Sequence, residues 1–316
     1  MAWTQSHGDR RAVDLLPGRC AGSKGAGRMK HDAVNAPALG SRRRFLARCA
    51  GVAAAALVPA GAAAPPAEMR SLRAQRLAWA GVRLQLPEST LLIDPLVNPA
   101  TWGKALPDRL VPVNDVLGES HVLVTHTHSD HFDADAVAAA LSKGGTLAYP
   151  AGLQPMPLPA AARARPSALW EPQLLGDFTA TPVPASDGYG DTQVSWVVTA
   201  GGRRIFHGGD TQWHGHWWRI GRQFGPFDAA FLPINGATFG WREPVSGQPG
   251  VLTPEQAVAA AAILGARTLV PIHYGISGMD NYAEVDDPLG RLRKAAGDRA
   301  VAVQVVEPGA WLTWPA

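Results

Sequence analysis

The sequence predicts an α/β domain in which two β-sheets pack on each other with helices on the outside. From about Glu68 onward, short runs of β-formers alternate with turn residues. Several segments of helical pattern lie between these runs. The chain has 316 residues, of which 46% are apolar and 17% charged, so a sizeable core can form. One domain is therefore expected over residues 68–316.

The first half of this domain is expected to contribute strands at RLAWAGVRLQL, STLLIDP, HVLVTHTH and TLAYP. Asp133 is expected to cap a short helix, ADAVAAALSKG, that ends at Gly144. Residues 150–172 are rich in Pro and Ala. This composition predicts a long connection over the surface.

The second half of the domain also alternates short predicted strands with turns. DFTATPVPAS and TQVSWVVTA flank SDGYGD and predict a hairpin, while RRIFHGGD, AAFLPI and TLVPIHYG predict further strands. QWHGHWWRIGRQFG is expected to be helical. Thr253 opens a T-x-x-Q capping box with Pro254 at the first helical position, which predicts a helix to about Gly265. PLGRLRKAAG predicts a last helix, and VAVQVV and AWLTW predict two closing strands.

Residues 1–64 form a basic leader with 10 Lys and Arg against 3 Asp and Glu, whereas residues 65–316 hold 19 against 23. The body is therefore not basic, which argues against nucleic-acid binding. SRRRFLARCAGVAAAALVPAGAAAPPA has the basic cluster, weakly apolar stretch and A-x-A pattern of a secretory signal. Its paired arginines, within Arg42, Arg43 and Arg44, resemble the twin-arginine export signal.

These features predict export by the twin-arginine machinery to the periplasm or beyond, with cleavage after Ala64 and no stable membrane span afterwards. The alternative is a protein anchored by its uncleaved signal. The apolar run from Ala50 to Ala64 is, however, short for a bilayer core of ~30 Å. Residues 1–28 do not resemble the start of a signal, so Met29 is the expected start of translation.

The stretch VLVTHTHSDHFDADAV places His126, His128, Asp130 and His131 within six residues, directly after a run of apolar β-formers. His126 and His128 are two apart, so an extended backbone directs both toward one ion. Asp130 and His131 follow the turn and can face a second ion. Imidazole and carboxylate suit zinc, manganese or iron. Both cysteines lie in the leader, so the domain can build a metal site only from these ligand types.

The run from His126 to His131 matches the H-x-H-x-D-H signature and resembles the metallo-β-lactamase superfamily, over about residues 70–316. The resemblance implies an αββα sandwich of two mixed sheets and a metal-dependent hydrolase. It also implies two divalent cations, with zinc expected first and manganese or iron as alternatives. Asp210, in HGGDT, is implied to bridge the ions, and His273, in PIHYG, is implied to be the last metal-binding histidine.

The segment Ile93-Asp94-Pro95 resembles the branch that includes ascorbate-6-phosphate lactonase and N-acyl-phosphatidylethanolamine-hydrolysing phospholipase D. This implies a small-molecule or lipid-like substrate, namely a phosphodiester or a lactone with an apolar portion. Asp130 is expected to orient the attacking water as well as to bind metal. The alternative is a binding protein that keeps the fold but is catalytically silent.

One position departs from the superfamily pattern. Where relatives usually supply a further histidine, the segment TPVPASDGYGD has Asp187. Asp187 is expected to replace that histidine around the first ion, together with His126, His128 and Asp210. The alternative is that Asp187 only forms a turn, and Asp191 is a weaker candidate for the ligand.

The segment after the bridging aspartate is rich in imidazole and indole. His214 is expected to protonate a leaving group, unless it merely begins a solvated helix. Trp213, Trp217 and Trp241 are expected to line an apolar substrate pocket, although such clusters more often pack in a core. Asn235, which follows a strand in LPINGAT, is a candidate donor to a substrate oxygen.

Overall fold

The computed structural model describes residues 71–99, 101–154 and 158–315. The chain divides into two units, residues 1–61 and 62–316, and every described residue belongs to the second. The predicted export signal and the expected start at Met29 lie outside the described residues. Within these ranges, no helix is both long enough and apolar enough to cross a bilayer.

The first sheet has six strands in the order of the chain. The first three pair antiparallel, and from the third to the sixth the strands are parallel. These strands are β1 (Arg73–Arg76), β2 (Val82–Leu86), β3 (Ser89–Ile93), β4 (Glu119–Leu123), β5 (Gly145–Pro150) and β6 (Ala162–Ser167).

The second sheet also has six strands: β7 (Gln173–Leu175), β8 (Phe178–Pro184), β9 (Val194–Ala200), β10 (Arg203–His207), β11 (Ala229–Pro233) and β13 (Leu269–Ile272). Their order in the sheet is β13-β11-β10-β9-β8-β7. Strands β7 to β10 pair antiparallel, while β10, β11 and β13 are parallel. A separate two-stranded sheet joins β12 (Thr238–Phe239) to β14 (Tyr282–Ala283).

Side chains alternate along the strands between a central core and two outer ones. In β11, Phe231 lies in the core between the sheets, whereas Ala230 and Leu232 pack toward the helices on the outer face. In β4, Leu123 joins the central core and Val122 the outer one. A strand buried on both faces needs apolar residues at both alternating positions. The predicted sandwich of two sheets with outer helices is therefore confirmed.

Four α-helices of the described chain cover the outer faces: α1 (Ala134–Ala140), α2 (Trp217–Phe224), α3 (Pro254–Leu264) and α4 (Pro288–Arg299). The Asp133 side chain caps α1 as predicted, because it accepts from the first free backbone N–H groups. At α3, Thr253 and Gln256 form the predicted reciprocal capping box, and Gly265 ends the helix in the left-handed region with φ 64°.

Two sequence predictions are wrong in detail. Residues 150–172 are not only a surface connection, because β6 forms there at the edge of the first sheet, where its Pro166 removes no hydrogen bond from a central strand. The two predicted closing strands are reduced to single bridges, which join Val303 to Leu269 and Trp311 to Gln75. The C-terminal segment thus lies along the edge strands β13 and β1 without extending either sheet.

Candidate metal centre

The loop between β4 and α1 carries the metal-ligand motif. His126 and His131 are buried, with 1% and 0% of their surface exposed, while His128 is partly open at 27%. The Nε2 atom of His126 lies 3.9 Å from Oδ1 of Asp210, and Nε2 of His131 lies 3.7 Å from the same oxygen. The carboxylate of Asp210 thus stands between the two ends of the motif, as a bridging group must.

Asp210 and His273 reach this place from the second sheet. Asp210 follows β10 and His273 follows β13, and these strands are parallel, so their carboxyl ends meet at one edge of the sandwich. Oδ2 of Asp210 lies 3.6 Å from Nε2 of His273, which in turn is 3.7 Å from Oδ2 of Asp130. Residues about 150 positions apart in the sequence therefore face one small volume.

The ligand atoms form two groups of three that could each hold a cation. One group is His126, His128 and Asp210, and the other is Asp130, His131 and His273, and within each group the atoms lie within 4.8 Å of one another. The structure therefore brings together six of the seven residues that the sequence predicts as metal ligands. The carboxylate of Asp210 lies between the two groups, since its oxygens are 3.7 Å from Nε2 of His131 and 3.6 Å from Nε2 of His273.

The buried atoms of this cluster fit a metal. Nε2 of His126, His131 and His273 and Oδ1 of Asp210 have no hydrogen-bond partner among the described residues. A buried polar atom without a partner costs about 1–3 kcal/mol. Four such atoms aimed at one another are satisfied together by cations, which accept the lone pairs of neutral imidazole and of carboxylate.

The electrostatics of the cluster favour a cation at the same place. Burial lowers the pKa of His126 well below its usual value, and the neighbouring imidazoles add to this, so the ring is neutral and can bind metal. In His131, burial acts the same way but is outweighed by the carboxylates of Asp210, Asp130 and Asp94, which raise its pKa to about 10. Without metal, these three carboxylates hold a proton where a cation would otherwise sit.

Asp94 fixes the orientation of His131. It is fully buried after β3, and its Oδ2 lies 2.9 Å from Nδ1 of His131. The same carboxylate accepts from the backbone N–H of Thr125 at 2.8 Å and from its hydroxyl at 2.7 Å. An ionised carboxylate can only accept, so Nδ1 keeps its proton, and Nε2 is the atom that would give up the second proton and offer a lone pair to a cation. The sequence had marked Asp94 only through the branch resemblance.

Trp79 forms a hydrogen bond to another residue of the motif, Asp130. Its Nε1–H donates to Oδ2 of Asp130 at 3.1 Å, and its ring lies against His273 with 4.1 Å between centroids. Sequence reasoning missed this residue, because a tryptophan in an apolar stretch between two strands gives no signal of a polar role. Trp79 ties the first sheet to the ligand from the second.

The Asp187 carboxylate forms a turn and also faces the ring of His128. Oδ1 accepts from the backbone N–H groups of Tyr189 and Asp191, at 2.6 and 3.2 Å, which makes a turn. Oδ2 lies 3.9 Å from Nδ1 of His128, while Asp191 lies 3.0 Å from Nε2 of the same ring. Asp187 groups with His128 and Asp191, not with His126 and Asp210. Its role as a ligand of the first ion stays a prediction.

A cavity of about 570 Å³ opens over the ligand cluster. The cluster contributes His128, Asp130, Asp210 and His273 to its lining, and the rest is mainly aromatic: Trp102, Tyr189, Phe239, Trp241 and Tyr282, with Thr101, Ser129, Arg242 and Met279. Of the four residues predicted for a substrate pocket, only Trp241 lines it. The other aromatic residues come from separate segments, and no local sequence pattern joins them.

The remaining candidates lie elsewhere. His214 stacks on Trp217 with 4.3 Å between centroids and 6° between planes, and neither residue lines the cavity. Trp217 is fully buried in the core beneath α2, and Trp213 packs against it. Asn235 is buried and donates to the hydroxyl of Tyr282 at 2.8 Å, so it supports the cavity wall without lining it.

Two mixed sheets between outer helices, with imidazoles and carboxylates converging at the strand ends, define a metal-dependent hydrolase. Residues 89–274 match the family described as a beta-lactamase superfamily domain, and the chain belongs to that family. The superfamily resemblance and the hydrolase class are therefore confirmed.

Individual relatives agree with this assignment. The chain is 34% identical to a UPF0173 metal-dependent hydrolase of Rubrobacter xylanophilus over 218 residues, which cover 63% of this chain and 80% of that protein. It is 28% identical to an uncharacterised protein of Mycobacterium bovis over 60% of this chain, but spans only about half, 52%, of that relative. The metallo-beta-lactamase fold protein YhfI from Bacillus subtilis shares the fold, with a TM-score of 0.57 and 17% identity over 76% of this chain and 98% of YhfI.

Proposed function

We propose that this metal-dependent hydrolase cleaves a phosphodiester or a lactone that carries an apolar portion, with two divalent cations of which zinc is the first candidate. The observation that carries the proposal is the shared lining of the cavity. Metal-ligand residues and aromatic side chains face the same space of about 570 Å³. A polar reacting group and an apolar remainder of one substrate can therefore be bound together.

His126, His128 and Asp210 would hold one cation, and Asp130, His131 and His273 the other, with Asp210 between them. Bound cations there supply Lewis acidity, which acidifies a water molecule and neutralises charge that develops on the attacked group. Of the donor groups, His128, Asp130, Asp210 and His273 also line the cavity. A substrate placed in the cavity thus meets the same side chains that hold the ions.

The protein's own residues position the reaction. Trp79 restrains the carboxylate of Asp130 through its Nε1–H, so Asp130 can accept a hydrogen bond from the attacking water in a fixed direction. Trp102 and Tyr282, 4.9 Å apart between ring centroids, close the cavity beside this point. Their apolar surface excludes bulk water and strengthens the electrostatics of the site.

The test is hydrolysis of a matched panel by the metal-loaded protein: bis(p-nitrophenyl) phosphate, an aryl lactone, and an aryl amide. We expect turnover of the phosphodiester or the lactone, loss of turnover with a chelator, and recovery with Zn²⁺, Mn²⁺ or Fe²⁺. His128→Ala should remove turnover and reduce metal content. His216→Ala is the matched control, since this exposed imidazole lies outside the cavity lining. Turnover of the amide alone, or turnover that survives chelation, contradicts the proposal.

We also propose that the protein is exported through the twin-arginine machinery and acts in the periplasm or outside the cell. The support is the leader sequence, with its paired arginines at Arg42–Arg44 and small residues up to Ala64. Export in a folded state would let the metal be loaded before translocation. Replacement of the three arginines by lysine should keep the precursor in the cytoplasm, and unchanged export would contradict this route.

A further inference from the structure

One wall of the cavity is a cluster of aromatic rings. Phe239 packs against both Tyr189 and Trp241, with centroids at 4.7 and 5.1 Å and planes inclined by 18° and 27°, and the centroids of Tyr189 and Trp241 are 6.4 Å apart. Tyr282 is nearly parallel to Trp241, at 8° and 6.3 Å. Phe239 and Tyr282 are register partners in the small β12–β14 sheet, which therefore carries this wall. The ring of Trp241 is half exposed and offers apolar surface to a planar group.

Arg242 is a solvent-exposed residue that follows Trp241 of this wall. Its guanidinium carbon lies 4.2 Å from the ring centroid of Tyr189, and the residue lines the cavity. No carboxylate of the described residues forms an ion pair with it, and its side chain makes no hydrogen bond to them. A guanidinium stacked on a ring keeps its N–H edge free for a bidentate contact with an oxyanion.

Tyr189 links this cation to the metal centre. Its ring stands edge-on to His128 with 5.5 Å between centroids, and the guanidinium covers it on another side. The cavity lining therefore combines predicted metal ligands, aromatic surface and the unpaired positive charge of Arg242. The other fixed charges in the lining are the carboxylates Asp130 and Asp210, which repel an anion unless a cation offsets them.

We propose that Arg242 determines substrate specificity and that the substrate is a planar apolar compound bearing an oxyanion, a carboxylate or a phosphate, away from the bond that is cleaved. The planar portion lies against Phe239 and Trp241, and the oxyanion binds the guanidinium of Arg242. This inference rests on the proposed function in that it takes the cavity as the substrate site. It adds the charge and shape that the substrate must have.

Binding without turnover tests the proposal. Naphthalene-2-sulfonate is a planar apolar probe with an oxyanion that binds metal weakly, and methyl 2-naphthyl sulfone is its neutral counterpart. Isothermal titration of the metal-loaded protein at low ionic strength should give about five- to tenfold tighter binding of the sulfonate, the range expected for a partly exposed charged contact. Added salt should reduce this preference, because the contact is open to solvent.

Three variants identify the residues responsible. Arg242→Gln should remove the preference and leave the sulfone affinity unchanged. Arg219→Gln is the matched control, because Arg219 also covers an aromatic ring, the indole of Trp170 at 3.9 Å, but lies outside the cavity lining. Trp241→Ala should weaken both probes.

Several results would overturn the proposal: equal binding of the two probes by the unaltered protein, no binding of either, a preference that survives Arg242→Gln, or an equal loss in Arg219→Gln. The outcome is separate from that of the hydrolysis panel. Turnover of a lactone or phosphodiester without a preference for the sulfonate removes this inference alone. A preference for the sulfonate without such turnover removes only the assignment of the cleaved bond.

Discussion

Replacement of Asp94 by asparagine tests a residue that orients one of the predicted metal ligands, His131, and is not itself one of them. Asp94 has a left-handed backbone, with φ 44°, which asparagine also tolerates, so the chain should keep its course. The amide oxygen of asparagine can still accept from the N–H of Thr125. Its NH₂ group, however, would face Nδ1 of His131, where the carboxylate now lies at 2.9 Å.

The expected magnitude follows from this change of partner. Nδ1 of His131 must then accept rather than donate, which moves the proton to Nε2, the atom that faces Asp210 at 3.7 Å. The lone pair needed for metal is lost in that tautomer. Removal of such an orienting carboxylate typically costs 10–100-fold in metal affinity, or about 1.4–2.7 kcal/mol. We expect this loss in the group of Asp130, His131 and His273.

The assay is titration of the metal-free protein with Zn²⁺ against a competing chelator. Asp133→Asn is the matched control: Asp133 accepts from four backbone N–H groups, including those of Val97 and Asn98 at 2.8 Å, and has no hydrogen bond to an imidazole. It should lower thermal stability while the affinity for Zn²⁺ stays unchanged. An orienting role for Asp94 would be excluded if Asp94→Asn bound Zn²⁺ as tightly as the unaltered protein, or if both variants lost affinity equally.

Three further predictions concern the same centre. Removal of metal by a chelator should lower the melting temperature by several degrees, because buried imidazoles and a carboxylate lose their shared partner. An unchanged melting curve would show that these atoms do not depend on a metal. Trp79→Phe keeps a ring against His273 but removes the hydrogen-bond donor to Asp130. The kcat should therefore fall about tenfold or more with little change in KM, and a change confined to KM would contradict this prediction. Asp187→Asn preserves the turn but removes a charge 3.9 Å from His128. If Asp187 is a ligand, elemental analysis of this variant should show a loss of about one metal ion per chain, whereas Asp191→Asn should keep two metal ions.

The sequence was sufficient for the strand ends that carry the ligands. Apolar runs that stop at His126, Asp210 and His273 mark the places where strands leave the sandwich, and parallel strands bring such ends to one edge. The capping roles of Asp133 and Thr253 could also be predicted from the sequence, because a cap is a local contact within four residues.

The sequence was not sufficient for contacts between distant segments. Trp79 and Asp130 are 51 positions apart, and Asn235 and Tyr282 are 47 apart, so no periodicity in the sequence predicts either hydrogen bond. Trp217 was expected in the pocket because it follows Asp210, but the helix turns its ring into the core. The closing segments have β-forming composition, yet each forms only a single bridge to an edge strand.

Anomalous diffraction at the metal absorption edge, from crystals of the protein purified without added chelator, would show directly whether this centre holds two cations. We expect two peaks, one between His126, His128 and Asp210 and one between Asp130, His131 and His273, both in contact with the Asp210 carboxylate. No peak in either place, or a single peak confined to His128, Asp187 and Asp191, would contradict it.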